Sequence, residues 1–283
     1  MKTFWIRTAS ATVYAVLFLG TLLSGRLLNN PHLGLVLFGA FLLFVTVGCS
    51  FEFFRMVGLQ GARPSLSLGY AYAVVTLFVM LVSPLLANPV SGFLLMLSAF
   101  MLWPMCFALA AIWQLWKNSE QPFRDAAYTM VPMLYVAVPL SLMLNLIPEV
   151  GARVVLMIVV MVWVNDSGAY IGGSLFGKHK MWVRHSPGKT WEGTAFGVLV
   201  TLLLAVFVGP WLQPAVAWYH WLALGLICSV VDTLGDLVES MLKRSVGVKD
   251  SGNIMPGHGG FLDRFDSLLI IMPFAFAYIT LIM

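Results

Sequence analysis

The chain has 283 residues, of which 60% are hydrophobic and only 10% charged, against about 45–50% and about 25% in an ordinary soluble domain. With a mean hydropathy of +0.91, that composition excludes a soluble enzyme and a disordered chain, and it indicates an integral membrane protein. The formal net charge of +4 comes from basic residues in short loops between apolar segments, a placement that orients membrane helices and does not call for nucleic acid.

The apolar stretches have the length of helices that cross about 30 Å of hydrocarbon, and the alternating pattern of a transmembrane barrel is absent. The expected fold class is an all-α polytopic membrane protein with about nine transmembrane helices, over 9–28, 33–54, 66–86, 90–113, 126–147, 152–174, 192–209, 217–242 and 267–283. Helix breakers separate them: Asn29-Asn30-Pro31, Gly61 to Pro64, Asn88-Pro89, Pro148 with Gly151, and Gly209-Pro210. The first stretch follows Lys2 and Arg7 and has the outline of a signal peptide, although it is long for one. Of the 16 Lys and Arg, all but Arg26 and Arg153 fall in alternate loops, which the positive-inside rule assigns to the cytoplasm. The N-terminus is then expected inside and the C-terminus outside. Cys49, Cys106 and Cys228 stand alone in apolar runs and form neither a disulfide framework nor a zinc site.

Polar residues are unevenly spread. Residues 1–150 read as an N-terminal transmembrane scaffold, and 151–283 as a C-terminal catalytic region with cytoplasmic loops 175–191 and 243–266. The sixth span ends in Asn165-Asp166-Ser167-Gly168-Ala169-Tyr170, and an acid so deep in an apolar run is a functional candidate. Gly168 with Gly172, and Gly193 with Gly197, have the spacing of close helix packing. The following loop carries Lys178, His179, Lys180, Arg184, His185, Ser186, Gly188, Lys189 and Thr190. It is not a P-loop, because Val183 stands where the first glycine belongs, but its charge suits phosphates of a nucleotide or an anionic lipid.

In the eighth span Ser229, Asp232, Asp236, Glu239 and Lys243 recur at steps of three and four and so share one helical face. Three acids on one stripe of a membrane helix need protein, water, a metal or a cation opposite them. A purely structural ion-pair stripe is the alternative. Downstream lie Lys243-Arg244, Lys249-Asp250-Ser251 and His258-Gly259-Gly260-Phe261-Leu262-Asp263-Arg264-Phe265-Asp266. The paired glycines let backbone amides approach a ligand's oxygen atoms, while His258 could equally be structural. Asp263 and Asp266 share a face if the last helix begins there; otherwise Asp266 is its N-cap. Carboxylates for a divalent metal, basic groups for phosphates and glycine-rich backbone together suggest phosphoryl or nucleotidyl transfer to a lipid.

The segments Asp166–Tyr170, Ser186–Gly193, Gly235–Arg244, Lys249–Ser251 and His258–Asp266, in that order, resemble the signature of the phosphatidate cytidylyltransferases, the CDP-diacylglycerol synthases. The resemblance implies a nucleotidyltransferase of phospholipid biosynthesis in the cell (inner) membrane, its active site facing the cytoplasm. It would make CDP-diacylglycerol and pyrophosphate from CTP and phosphatidate. By the same resemblance Asp236 and Asp263 hold catalytic Mg²⁺, with a two-metal centre compatible, and Lys243 and Arg264 act beside them. Asp166, Glu239 and Asp266 are supporting acids. Lys178, Ser186, Lys189, Thr190, Arg244, Lys249, His258, Gly259 and Gly260 contact the substrates. Asp232 departs from the family pattern, which has a small or uncharged residue there, and joins the supporting acids. A homo-oligomer is compatible with this reading. The rivals are a CTP-dependent transferase acting on an isoprenoid-ether phosphate or a polyprenol, and an ion-coupled transporter. Transport, however, does not require a basic, glycine-rich loop beside the acids.

Overall fold

The structure is a computed structural model that describes residues 2–283 apart from Ala87, Asn118 and 256–258; side chains of 2–9, Pro89, Phe93, Met96, Ala99 and Leu102 are also outside the description. The chain divides into two compact units, Met1–Pro148 with Asp250–Arg264, and Glu149–Lys249 with Phe265–Met283. The glycine-rich segment, expected within the C-terminal region, thus packs with the first unit.

The first unit begins with helices α1 (Lys2–Leu27), α2 (Pro31–Gly58), α3 (Leu66–Val82) and α4 (Pro89–Trp113). The turn before α2 follows from its sequence. Asn30 accepts a hydrogen bond from the Leu33 amide at 3.1 Å, and Pro31 occupies the first helical position, where a missing N–H is harmless. Helices α5 (Pro122–Val131) and α6 (Val138–Val150) form one span, joined by a π-helical turn over Pro132–Ala137. Pro132 and Pro139 bracket that turn, and their missing amides explain the widened hydrogen bonding. The core of this unit is apolar and partly aromatic: Phe18 meets Phe38 edge-on at 5.7 Å, and Leu42, Met133 and Met143 are fully buried.

The second unit contains α7 (Ala152–Phe176), a hairpin of β1 (Lys180–Trp182) and β2 (Ser186–Thr190), α8 (Trp191–Leu212), α9 (Trp218–Ser245) and most of α10 (Leu262–Ile282). The antiparallel hairpin pairs Lys180 with Thr190 and Trp182 with Ser186, a small addition to the all-α expectation. Helices α7 and α8 approach through the predicted glycines: a Cβ on Gly193 would come 2.6 Å from the Ala169 carbonyl, and one on Gly197 2.7 Å from that of Asn165.

Among the described residues, eight helices are long and apolar enough to cross a membrane. The fourth expected span, 90–113, falls on α4, where the described residues give only a shorter apolar stretch, Trp103–Trp116. Large apolar side chains face outward on these helices, Phe207 being 74% and Leu281 81% exposed, as a hydrocarbon solvent allows. Helix α10 begins five residues ahead of the expected span 267–283, so Asp266 lies inside the helix and is not its N-cap.

Candidate active site

The acidic stripe of α9 is the buried face of that helix: Ser229, Asp232 and Glu239 are buried, Lys243 nearly so, and Asp236 is half-buried. Within the second unit, Asp236 and Glu239 meet Asp266 of α10, and one carboxylate oxygen from each of the three lies within 4.8 Å of the other two. Like charges so close are relieved by a cation or by protonation. Two lysines provide positive charge: Lys189 Nζ stands 2.6 Å from Asp236 Oδ2 and donates to the Thr233 carbonyl at 3.2 Å, while Lys243 pairs with Glu239 one turn along α9. The neighbouring Ser240 hydroxyl donates to Asp236 Oδ1 at 3.4 Å.

The donor set is entirely oxygen, the chemistry of a hard divalent ion such as Mg²⁺, and it fits that ion better than zinc or copper. Magnesium takes few protein carboxylates and completes its shell with water and substrate phosphates, so three acids suffice.

Asp236 and Lys189 open onto a cavity of about 420 Å³, lined also by Asn165, Asp166, Ser186 and Thr190. The hairpin delivers Ser186 and Lys189 to this cavity, and Thr190 caps α8 by accepting from the Gly193 amide at 3.2 Å. Asp232 is buried and accepts from Asn165 Nδ2 at 2.5 Å, with Asp166 adjoining. Basic groups and polar donors beside clustered carboxylates can bind phosphates and hold a metal against them.

The second unit therefore brings together Asp166, Ser186, Lys189, Thr190, Asp232, Asp236, Glu239, Lys243 and Asp266. Lys178, Arg244 and Lys249 are exposed. Arg244 donates to the Val248 carbonyl at 2.9 Å, closing the C-terminal turn of α9, where a cation also suits the helix dipole.

Asp263, Gly259, Gly260 and Arg264 belong to the first unit. The Asp263 carboxylate accepts from the Gly260 amide at 2.8 Å, the Ser251 amide at 3.0 Å and the Ser251 hydroxyl at 2.9 Å. The expected ligand His258 lies outside the described residues. The sequence reading passed over Glu52, which sits against this same segment. Its signal was an acid inside the apolar span 33–54.

A family model described as "Cytidylyltransferase family" matches residues 5–282. A phosphatidate cytidylyltransferase of Staphylococcus saprophyticus is 33% identical over 270 residues, which cover 95% of this chain and 96% of that protein. The enzyme of the same name from Bacillus subtilis is 40% identical over 161 residues, 56% of this chain and 60% of its own length. That of Staphylococcus haemolyticus is 40% identical over 169 residues, 60% of this chain and 64% of the relative.

Proposed function

Because the chain belongs to the cytidylyltransferase family, we propose that it transfers the cytidylyl group of CTP to phosphatidate, giving CDP-diacylglycerol and pyrophosphate. The observation that carries this reading to particular residues is the cluster of Asp236, Glu239 and Asp266, of which Asp236 opens with Lys189 onto a cavity. Phosphatidate brings its own nucleophile, a phosphate oxygen largely deprotonated at neutral pH, so neither a side-chain nucleophile nor a general base is required. That oxygen forms a bond to the α-phosphorus of CTP as the bond from that phosphorus to the bridging oxygen breaks, and pyrophosphate leaves with the electron pair.

Asp236, Glu239 and Asp266 would hold the divalent cation, with Asp166 and Asp232 as supporting acids. A bound Mg²⁺ would neutralise phosphate charge that the protein alone cannot. Lys189 and Lys243 stand beside the acids, positioned to take charge on the triphosphate as it shifts to the leaving group. Lys178, Ser186, Thr190, Arg244, Lys249 and Arg264 keep substrate contacts as their expected role. Asp263 keeps its family role of metal ligand through the resemblance alone. The basic loops 175–191 and 243–266 face the cytoplasm in this reading, where CTP is available.

The test is incubation of purified protein with labelled CTP, Mg²⁺ and phosphatidate, with polyprenol and an isoprenoid-ether phosphate as competing acceptors. Label should enter CDP-diacylglycerol with stoichiometric pyrophosphate. Preference for another acceptor would reassign the lipid, and absence of any CDP-lipid would overturn the reading.

A further inference from the structure

Glu52 lies in the last two turns of a membrane-spanning helix, α2, and is fully buried. A carboxylate there is costly unless specific donors meet it. The donors come from the glycine-rich segment about 200 residues downstream. Oε1 accepts from the Phe261 amide at 3.0 Å, and Oε2 accepts from the Leu262 amide at 2.9 Å and the Ser251 hydroxyl at 3.0 Å. Leu262 is the first residue of α10, so Glu52 satisfies amides that a helix start leaves without intrahelical partners, and its charge opposes the positive end of the helix.

The segment is shaped around this acid. A Cβ added at Gly252 or at Gly260 would collide with the Glu52 carboxylate, so both glycines are needed for the backbone to come this close. The Ser251 hydroxyl stands between two acids, 3.0 Å from Glu52 Oε2 and 2.9 Å from Asp263 Oδ2. It has one proton, so it serves one carboxylate at a time and couples them. The same serine's amide, with that of Gly260, holds Asp263 Oδ2 from the backbone. Glu52 therefore fixes the residues that in turn fix Asp263.

We propose that Glu52 is a positioning residue for cytidylyl transfer, a clamp from α2 that holds Ser251 and residues 260–262 in the conformation that aims the Asp263 carboxylate. It acts through Ser251, Gly260 and the start of α10 and does not itself touch substrate. The inference rests on the transfer reading above and extends the working residues into the half of the chain that reads as scaffold.

The experiment compares Glu52→Gln, Glu52→Asp and Ser251→Ala with Ser50→Ala, a buried control on α2 whose hydroxyl bonds only within its own helix. An amide cannot accept at both ends, so Glu52→Gln should lower kcat roughly 10–100-fold and raise the Mg²⁺ concentration for half activity, with a smaller change in KM for CTP. Glu52→Asp keeps the charge and should recover part of the loss. Ser251→Ala leaves the intramembrane acid intact and should shift Mg²⁺ dependence in the same direction. Combined with Asp263→Asn, Glu52→Gln should add little further loss. Hydrogen exchange at the Phe261 and Leu262 amides should quicken in Glu52→Gln and stay unchanged in Ser50→Ala. A purely structural role would lower the amount of folded protein and leave kcat per folded molecule and Mg²⁺ dependence within about twofold of wild type; that result overturns the inference alone. Wild-type protein that forms no CDP-lipid overturns the transfer reading, and the inference with it.

Discussion

The two units treat their acids in opposite ways. In the first, Glu52 and Asp263 are met by backbone amides and a serine hydroxyl at 2.8–3.0 Å, neutral donors that leave the carboxylates their charge and fix their direction. In the second, Asp236, Glu239 and Asp266 crowd one another, with Lys189 paired to Asp236 and Lys243 to Glu239. Amides answer a carboxylate's demand for hydrogen bonds, whereas crowding creates a demand for positive charge that hydrogen bonds alone do not meet. An acid in a membrane helix is therefore a question about its partners. Amide clamping fixes the direction of an acid, and crowding draws in positive charge.

That contrast predicts which changes act through charge. Removing divalent cation with EDTA should reduce CTP-dependent turnover to background, with restoration by Mg²⁺; full activity in chelator would end the cation reading of the second unit. Asp236→Asn keeps the side chain's shape and removes the charge, so turnover at equal membrane expression should fall roughly a thousandfold or more, about 4 kcal/mol of transition-state stabilisation. Insertion should be unimpaired, since neutralising an intramembrane acid eases it. Asp232→Asn changes an acid held by Asn165 outside the crowded trio, and roughly a 10–100-fold loss is expected. If Asp232→Asn is dead and Asp236→Asn near normal in the same Mg²⁺ titration, the cation belongs one turn away on α9. The smallest effect should come from Thr190→Ala, which removes the cap of α8 and lowers stability by about 1 kcal/mol in a thermal or denaturant melt. A rise in KM for CTP beyond that loss would add a nucleotide contact to the cap.

Much of the second unit is legible in the chain because its signals are local. The steps of three and four along α9 place Asp232, Asp236, Glu239 and Lys243 on one face whatever that helix packs against. The small residues of α7 and α8 likewise announce a close approach before any coordinates exist. Legibility fails where the partner is distant. Gly260 reads as a residue freeing backbone for a ligand, yet its missing side chain makes room for Glu52. Glu52 itself is one acid in an apolar run, with no second acid at helical spacing to mark it. Asp266 could be read as a cap because the onset of α10 depends on capping interactions near Phe261 and Leu262, and their partner lies on α2.

By itself the sequence determined the membrane-spanning helical class, the basic faces of the loops, the acidic stripe and the family, since hydropathy, charge and motif order are properties of neighbouring residues. Only the tertiary structure decided which acids crowd together and which are clamped. It joined Asp266 to Asp236 and Glu239 across two helices, put Lys189 on Asp236, and tied Glu52 to an amide 210 residues away. The physical reason is that hydrogen bonds and ion pairs act over about 3 Å of space, and no periodicity along a chain records which distant atoms folding brings within that distance.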